Sequence, residues 1–218
     1  MKVVSVNVGL PRDVVSKGKT VTTGIFKEPV EGRVVLKSLN LDGDRQADLR
    51  VHGGVHKAVY AYPGEHYEYW RRELPGVDLP WAMFGENLTV EGMFEDQVAI
   101  GDQFRIGSAE LVVTQPRLPC YKLAVKFGRD DIIKRFLDSG RTGFYFAVLK
   151  EGEVGAGDLI EIISRDANEL KVAEITRLYL HGEAGDLERL ERALRVEALP
   201  DSWKDHFESQ LEKLRALG

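Results

Sequence analysis

The chain contains one cysteine, Cys120, within the segment TQPRLPCYKLAVKFG. Pro116 and Pro119 stiffen this loop and restrict the direction in which the thiol points. The adjacent Arg117 and Lys122 favour the thiolate, which is the form of cysteine that attacks substrates or binds metals. A lone cysteine is more often a small buried hydrophobic residue. A rigid loop with two neighbouring cations is an unfavourable place for mere packing, and we therefore interpret Cys120 as a functional thiol.

Segment 41–63, LDGDRQADLRVHGGVHKAVYAYP, is rich in polar side chains around the pair Gly53 and Gly54. Paired glycines bring backbone N–H groups close to a ligand and leave room for a ring. His52 and His56 are four residues apart, which on a helix would place both on one face as zinc ligands. The glycine pair disfavours a helix, and no Glu follows His52 as in the H-E-x-x-H motif. Three interpretations stay open: a ligand-binding histidine, a histidine that only hydrogen-bonds in a turn, and a zinc site.

Segment 16–24, SKGKTVTTG, contains the Gly-Lys-Thr sequence that ends a phosphate-binding P-loop. That motif also needs a glycine five positions before Gly18, and position 13 is Asp, so a nucleotide-hydrolysing P-loop is excluded. A flexible loop remains, in which Lys17, Lys19 and threonines such as Thr22 could hold a phosphate by charge and hydroxyl. The alternative is a solvated turn.

Segment 84–92, FGENLTVEG, places Asn87 in a turn before a predicted strand. An amide side chain both donates and accepts hydrogen bonds, so Asn87 could recognise the edge of a heterocyclic ring. The alternative is an ordinary turn residue.

Together these groups limit the chemistry. A thiol protease would pair Cys120 with a histidine base and an orienting amide, for which His52 and Asn87 are available. No local protease signature surrounds the cysteine. The other chemistry that uses one thiolate is ligation of a metal that another chelator mainly holds. A phosphate loop, a glycine-lined cleft, an amide and a thiolate suit a phosphorylated organic cofactor that carries its own metal.

The elements that must position these residues fall into two parts. Residues 1–165 contain short alternating or β-branched runs separated by glycine-rich turns, which predicts a barrel or sandwich closed on itself. Helical periodicity interrupts these runs at 64–74 and 128–140. Residues 166–218 show apolar stripes at helical spacing and predict three short helices. We therefore expect a β-rich domain, 1–165, followed by a three-helix domain, 166–218.

The composition narrows the class of protein. The 218 residues are 43% hydrophobic, which is enough for a full core. A single cysteine excludes an intrachain disulfide and fits a reducing compartment. The N-terminus predicts a strand and not a secretory signal, and no segment approaches the roughly 18 apolar residues of a membrane span. We predict a cytoplasmic protein that does not bind membranes.

The charge is unevenly distributed along the chain. Residues 1–165 carry 23 acidic and 22 basic side chains, whereas residues 166–218 carry 12 and 8. Because the first part is close to neutral, we do not expect it to attract nucleic acid over long range.

The segments GDRQADLRVHGGVHKAVYAYP, FGENLTV and QPRLPCYKL, in this order and spacing, resemble the MOSC-domain family, the fold found at the C-terminus of molybdenum cofactor sulfurases. The likeness is greatest to the stand-alone YiiM-type members, and the tail from about residue 168 resembles their three-helix appendage. The resemblance covers nearly the whole chain. It implies a mainly β fold with α-helices, in which a β-barrel-like core is followed by a small three-helix C-terminal appendage.

The resemblance also implies a ligand. Members of this family bind the molybdenum cofactor, a phosphorylated pterin dithiolene, and their cysteine supplies a thiolate to molybdenum. By that resemblance Cys120 is the metal ligand and Arg117 lines the pocket beside it. Lys19 and Thr22 would hold the cofactor phosphate. The remaining pterin-pocket residues would be His52, Gly53, Lys57 and Asn87.

Related proteins are reductases that remove the hydroxyl group from N-hydroxylated compounds, including base analogues such as hydroxylaminopurine. The cofactor carries the two-electron chemistry, while the protein supplies ligation, orientation and a shaped cavity. His52 could relay a proton. One cysteine cannot hold an iron–sulfur cluster, and no G-x-G-x-x-G follows a predicted strand. Electrons are therefore expected from an external flavoprotein or ferredoxin-like reductase, and we hypothesise that the acidic tail docks this partner or forms a homodimer contact.

Two other classes of function stay open. The protein could be a cofactor carrier or sulfur-transfer module, in which Cys120 stores the cofactor or holds a persulfide. It could also be a binding domain whose thiol is buried and unreactive. Turnover of hydroxylamines with an artificial electron donor distinguishes the enzyme from both.

Overall fold

The computed structural model describes residues 1–47, 53–182 and 186–217. Its centre is an eight-stranded sheet with the strand order β12-β8-β9-β10-β6-β7-β1-β4. Neighbouring strands are antiparallel except β6 and β7, which are parallel and are joined through a helix. The strands of the sheet are β1 Lys2–Val8, β4 Glu28–Pro29, β6 Val59–Pro63, β7 Leu88–Glu91, β8 Gln103–Ile106, β9 Ala109–Pro116, β10 Phe144–Lys150 and β12 Ile160–Ser164.

The sheet curls but does not close into a barrel within the described residues. Lys2 forms a single bridge with Leu159, next to the start of β12, and the far end of β1 pairs with β4 instead. The free edge of β1 is thus divided between two partners, and the β1–β7 register also shifts between Val3 and Ser5. The expected β-barrel-like core is therefore correct only loosely: the fold is mixed α/β, with one large curled sheet.

Two small sheets flank the large one. Strands β5 (Arg33–Leu36) and β11 (Gly152–Gly155) form one, and strands β2 (Arg12–Ser16) and β3 (Lys19–Thr23) form a hairpin. The hairpin turn is Lys17-Gly18, and both residues have positive φ, of 50° and 74°. Two-residue turns of this kind match the twist of paired strands. The prediction of a flexible loop at 16–24 is wrong, because the residues on both sides of this turn pair one by one, from Ser16 with Lys19 to Arg12 with Thr23.

Strand β6 is buried over its whole length because it separates two hydrophobic clusters. Val59 and Ala61 belong to the main core, which extends from the sheet into the C-terminal helices. Tyr60 and Tyr62 belong to the aromatic core, which is centred on rings such as Trp70, Phe84 and Phe136. Alternation along a strand sends successive side chains to opposite faces, and here both faces are covered.

Six α-helices and one 3₁₀ helix, Val55–Lys57, surround the sheet in the described part of the chain. Helix α1 joins β6 to β7, and α2 and α3 lie between β9 and β10. The first of the C-terminal three is joined to the segment between β7 and β8 through Val172, whose N–H donates to the carbonyl oxygen of Val98 at 2.9 Å. None of these helices is long and apolar enough to cross a bilayer. Their bounds are α1 His66–Glu73, α2 Tyr121–Phe127, α3 Ile132–Asp138, α4 Val172–His181, α5 Leu187–Leu194 and α6 Asp201–Leu217.

The sequence-based helices at 64–74 and 128–140 and the three C-terminal helices are confirmed as elements. Helix α2 has no counterpart among the predicted helices. The division at 165/166 stays a prediction, and the main core contains side chains from both sides of it, such as Phe146 and Leu178.

Candidate functional site

A cleft opens where the loops after β3, β9 and α1 meet the end of β6. Including its open mouth, it encloses about 580 Å³. Its lining combines one thiol, five cationic side chains and two tyrosines: Thr23, Gly24, Ile25, Lys27, Arg45, Gln46, Ala47, Lys57, Tyr60, Gly85, Asn87, Arg117, Cys120, Lys122 and Tyr145.

Two glycines allow the loops of the cleft to approach each other closely. A Cβ at Gly24 would lie 2.4 Å from the carbonyl oxygen of Arg45. A Cβ at Gly85 would lie 2.7 Å from Cγ1 of Ile25, and Gly85 has a φ of +83°. At Gly24 a side chain would require the loops to move apart, and at Gly85 it would require the displacement of Ile25 on the loop after β3. Glycine at these positions therefore sets the width of the cleft.

Cys120 is held at the point where an extended loop becomes a helix. Strand β9 ends at Pro116, and Cys120 is the extended residue (φ −117°, ψ 171°) directly before α2. Its carbonyl oxygen accepts the N–H of Leu123 at 2.9 Å, which closes the first turn. The residue is half-buried and is not part of a disulfide. The thiol is therefore accessible from the cleft while its backbone is fixed.

Arg117 is the most buried cation of the cleft. The residue is only 5% exposed, and its Nη1 is buried without a hydrogen-bond partner. The guanidinium lies over the rings of Tyr60 and Phe136, with Cζ 5.0 and 5.1 Å from the ring centroids. Burial by itself lowers the pKa of Arg117, but the nearby phenols of Tyr60 and Tyr145 and the thiol of Cys120 outweigh it, so the pKa is raised. A permanent positive charge with an unused donor therefore lies beside the thiol.

The other cations give the cleft a strongly positive lining. Lys27 is buried and donates to Asp44, and burial lowers its pKa despite that partner. Burial also lowers the pKa of Lys57. Arg45 and Lys122 complete the set, and no Asp or Glu belongs to the lining among the described residues. Such a cleft attracts an anion.

Asn87 lines the cleft and also joins its walls. Its Oδ1 accepts the N–H of Tyr60 at 3.1 Å, and its Nδ2 donates to Asp44 at 2.9 Å. Asp44 in turn accepts the N–H of Gly9 at 3.0 Å. The amide thus holds β6 against the loop that carries Asp44, and Asp44 in turn binds Lys27 from the loop after β3.

Lys126 anchors the helix that begins after Cys120. Its Nζ donates to the carbonyl oxygens of Ile25 at 2.9 Å and Ala82 at 2.6 Å. Burial lowers the pKa of Lys126 to about 8, and the neighbouring Glu86 only partly opposes this shift. Helix α2 is therefore fixed to two of the loops that surround the cleft.

The cleft brings together four of the predicted residues: Lys57, Asn87, Arg117 and Cys120. Lys19 and Thr22 lie on the β2–β3 hairpin and do not line it. The hydroxyl of Thr22 donates to Asp13, whereas the next residue, Thr23, does line the cleft. Gly53 is described but is not among the lining residues, and His52 lies outside the described residues.

Sequence reasoning missed several residues of the cleft. Arg45 and Tyr60 lie inside segment 41–63, which the glycine pair and its polar residues already indicated as a ligand-binding region. Lys27 and Tyr145 carry no local signal, because only the packing of distant loops and strands brings them beside Cys120.

The zinc interpretation finds no support in the described part of the chain. No group of three or more His, Cys, Asp or Glu side chains there is arranged to hold a metal ion. The pair His52 and His56 is not tested by this, since His52 lies outside the described residues.

Comparison with known proteins agrees with the fold. A family model described as MOSC domain matches residues 48–161, and one described as YiiM-like, 3-alpha helix domain matches residues 172–214. The uncharacterized protein YflK of Bacillus subtilis is 44% identical, over 97% of this chain and 95% of its own. The crystal structure of YiiM from Geobacillus stearothermophilus matches with a TM-score of 0.80 at 34% identity, covering 96% of this chain and 98% of that one.

A further relative extends the comparison beyond bacteria. A Gibberella moniliformis protein named reductase is 35% identical over 74% of this chain, and the match spans 29% of that larger protein. The matched segments include Cys120 and Arg117 of the cleft and most of the helical tail. The chain therefore belongs to the MOSC-domain family, and within it to the YiiM-like proteins.

Proposed function

We propose that this protein is a molybdenum-cofactor-dependent reductase of N-hydroxylated compounds, with the Cys120 thiolate as the protein ligand to molybdenum. Membership of the MOSC family and a relative named reductase support an oxidoreductase. The cytoplasm, as a reducing compartment, would keep the single thiol available.

The observation that carries this proposal is the pairing of an accessible thiol with a buried, partly unpartnered cation. Arg117 leaves Nη1 without a hydrogen bond inside a positive cleft, and Cys120 opens into the same cleft. A buried donor without a partner is unfavourable in an empty site and is satisfied by an anionic ligand. A phosphorylated chelate that needs one further soft ligand fits this set of donors.

The residues of the cleft would have different roles in cofactor binding. Cys120 would ligate the metal, and Arg117 with Lys27, Arg45, Lys57 and Lys122 would neutralise the phosphate and other negative charge of the cofactor. Tyr60 and Tyr145, whose rings are tilted by 40° to each other, would form an aromatic wall beside the ring system. Lys19, Thr22, His52, Gly53 and Asn87 stay predicted contacts. The bound cofactor would supply the two-electron chemistry.

The reaction converts an N–OH group into N–H and water, and it consumes two electrons and two protons. The chain has one cysteine and hence no iron–sulfur cluster of its own. We therefore propose an external flavoprotein or ferredoxin-like reductase as the electron donor, and His52 as a proton relay. The tail 166–218 would dock this donor or a second copy of the chain.

The test is molybdenum content by mass spectrometry, on protein made anaerobically in a host that overproduces the cofactor. We expect about one molybdenum per chain, falling sharply in Cys120→Ala, whose missing thiolate removes the protein ligand. Equal content in both proteins would exclude thiolate ligation, and zinc in place of molybdenum would revive the pair His52 and His56.

Turnover separates the enzyme from a carrier. With a reduced dye as electron donor, the loaded protein is expected to convert hydroxylaminopurine to the amine, and Cys120→Ala is expected to lose this activity. Stable loading without turnover of any N-hydroxylated compound would favour the carrier or sulfur-transfer module.

A further inference from the structure

A buried carboxylate outside the cleft, that of Glu95, is connected to it by hydrogen bonds. Glu95 is 5% exposed, and Oε1 accepts the N–H of Gly143 at 2.7 Å. Its Oε2 lies 2.8 Å from Nε2 of His66, which is also buried. The carboxylate therefore has two specific partners and does not reach the cleft itself.

Gly143 lies at a sharp bend that leaves no room for a side chain. Its φ is +65°, and a Cβ there would lie 2.4 Å from the carbonyl oxygen of Ala61. The bend turns its N–H towards Glu95, so the carboxylate holds the peptide between residues 142 and 143 in one orientation.

That peptide and the next one along the chain each support a residue of the cleft. The carbonyl oxygen of Thr142 accepts the hydroxyl of Tyr60 at 2.7 Å. The carbonyl oxygen of Gly143 accepts the N–H of Arg117 at 3.2 Å. The two carbonyl groups belong to consecutive peptides joined at Gly143, and the guanidinium of Arg117 lies over the ring of Tyr60. A rotation of peptide 142–143 therefore moves the acceptor of the Tyr60 hydroxyl directly and the acceptor of the Arg117 N–H through Gly143.

Glu95 is itself fixed by two helices. Its carbonyl oxygen accepts the N–H of Ala173, in the first turn of α4, at 2.9 Å. His66 is the first residue of α1, and its ring lies between those of Tyr62 and Phe94. The carboxylate therefore joins the C-terminal helices and α1 to the strand that supports the cleft.

We propose that Glu95 is a positioning residue for Arg117: through Gly143 and Tyr60 it holds the guanidinium in the orientation that directs its unpartnered donor into the cleft. This inference rests on the proposed function in one respect only, namely that a ligand uses the donor of Arg117. The positions of Arg117 and Tyr60 are measurable without any cofactor.

The test is NMR spectroscopy of the cofactor-free full chain, which observes the Nε–Hε signal of Arg117. Its identity is established by its loss in Arg117→Lys, and the rings of Tyr60 and Phe136 are expected to displace it from the position of an exposed arginine. In Glu95→Ala and Glu95→Asp we expect the signal to move towards the exposed position, since the first variant removes the acceptor and the second retracts it by one methylene. Glu95→Gln keeps an oxygen for Gly143 and is expected to restore the wild-type signal.

The matched control is Asp102→Asn, at another buried carboxylate that accepts two backbone N–H groups, those of Ala99 and Asp166. It is expected to lower the unfolding temperature without moving the Arg117 signal. An unmoved signal in folded Glu95→Ala or Glu95→Asp overturns the proposal, and so does a shift of equal size in Asp102→Asn. If Glu95→Ala does not fold, Glu95→Asp decides.

Molybdenum content of the same variants reports on the proposed function separately. A displaced Arg117 signal together with reduced loading supports both proposals. A displaced signal with full loading keeps the positioning role of Glu95 and removes Arg117 from cofactor binding.

Discussion

The loop at 82–87 and the cleft beside it differ in how they accommodate a buried charged group. Glu86 is fully buried and accepts hydrogen bonds from the hydroxyls of Tyr67 and Thr89 and from the N–H groups of Ala82 and Phe84. Every contact of this carboxylate is made within the protein, so its role is to hold the loop.

Arg117 is nearly as buried but leaves Nη1 without a partner. It has ring faces on two sides and no carboxylate among its contacts in the described residues. Folded proteins seldom leave such a donor unsatisfied unless a ligand uses it. Buried charged groups therefore fall into two kinds. Groups with satisfied hydrogen bonds, such as Glu86, form the frame that holds the loops, whereas the proposed function assigns the unsatisfied Nη1 of Arg117 to ligand binding.

The largest effect is expected at Glu86. Glu86→Ala leaves four buried hydrogen-bond donors without an acceptor. It should therefore lower the free energy of unfolding by about 4 kcal/mol. Denaturant unfolding followed by fluorescence measures it. The control Glu208→Ala, at an exposed position of α6, should change stability by less than about 0.5 kcal/mol. A small effect of Glu86→Ala would remove the distinction between frame and site.

Lys126 predicts a pH dependence. The folded pKa is about 8 and the ordinary value is 10.5, so between these pH values the unfolded chain binds more protons and stability rises with pH. Relative to that of Lys126→Met, the free energy of unfolding of the wild type should increase by about 1–3 kcal/mol between pH 7.5 and pH 10. Urea unfolding of both proteins at each pH measures the difference between their free energies of unfolding. Taking this difference removes the contribution of all other titrating groups, because both proteins contain them. A constant difference would show that Lys126 keeps its proton.

Substitutions at two glycines with nearly the same φ distinguish the cost of backbone strain from the cost of a steric clash between loops. At Gly76 (φ +82°) a Cβ would have nothing within 4 Å, whereas at Gly85 (φ +83°) a Cβ would lie 2.7 Å from Ile25. Gly76→Ala should cost about 1 kcal/mol from conformation alone. Gly85→Ala should cost about 1–2 kcal/mol more, because the cleft loops must separate. Equal losses of stability would mean that the loops are not tightly opposed.

The smallest effect on stability is expected at Arg117. Arg117→Met replaces a buried cation without an ionic partner by an apolar chain of similar length, so stability should change by less than about 1 kcal/mol in either direction. Molybdenum loading should nevertheless fall. A loss of stability as large as that of Glu86→Ala would assign Arg117 to the frame and contradict its role as a ligand contact.

Local patterns predict most elements because helix and strand periodicity is a property of short segments. The helices around Trp70 and Phe136 and the three after residue 170 form where apolar residues recur at helical spacing. Helix α2 escapes prediction because it begins directly after a proline-rich loop and buries only Leu123. The alternating strands correctly indicate a large sheet, but they led us to predict a closed barrel. Closure depends on how the two edges of the sheet meet, and these edges are distant in sequence.

The sequence by itself determined that one thiol, stiffened by prolines and flanked by cations, belongs with a glycine-rich polar segment in a MOSC-type chain. Only the tertiary structure decided which cations surround that thiol. In the β2–β3 hairpin, Thr22 and Thr23 point to opposite faces, so a single residue of offset separates the predicted contact from the one that lines the cleft. Lys27 and Tyr145 join Cys120 from distant parts of the chain, and no local pattern encodes such an approach, because it depends on how the loops and strands pack against each other.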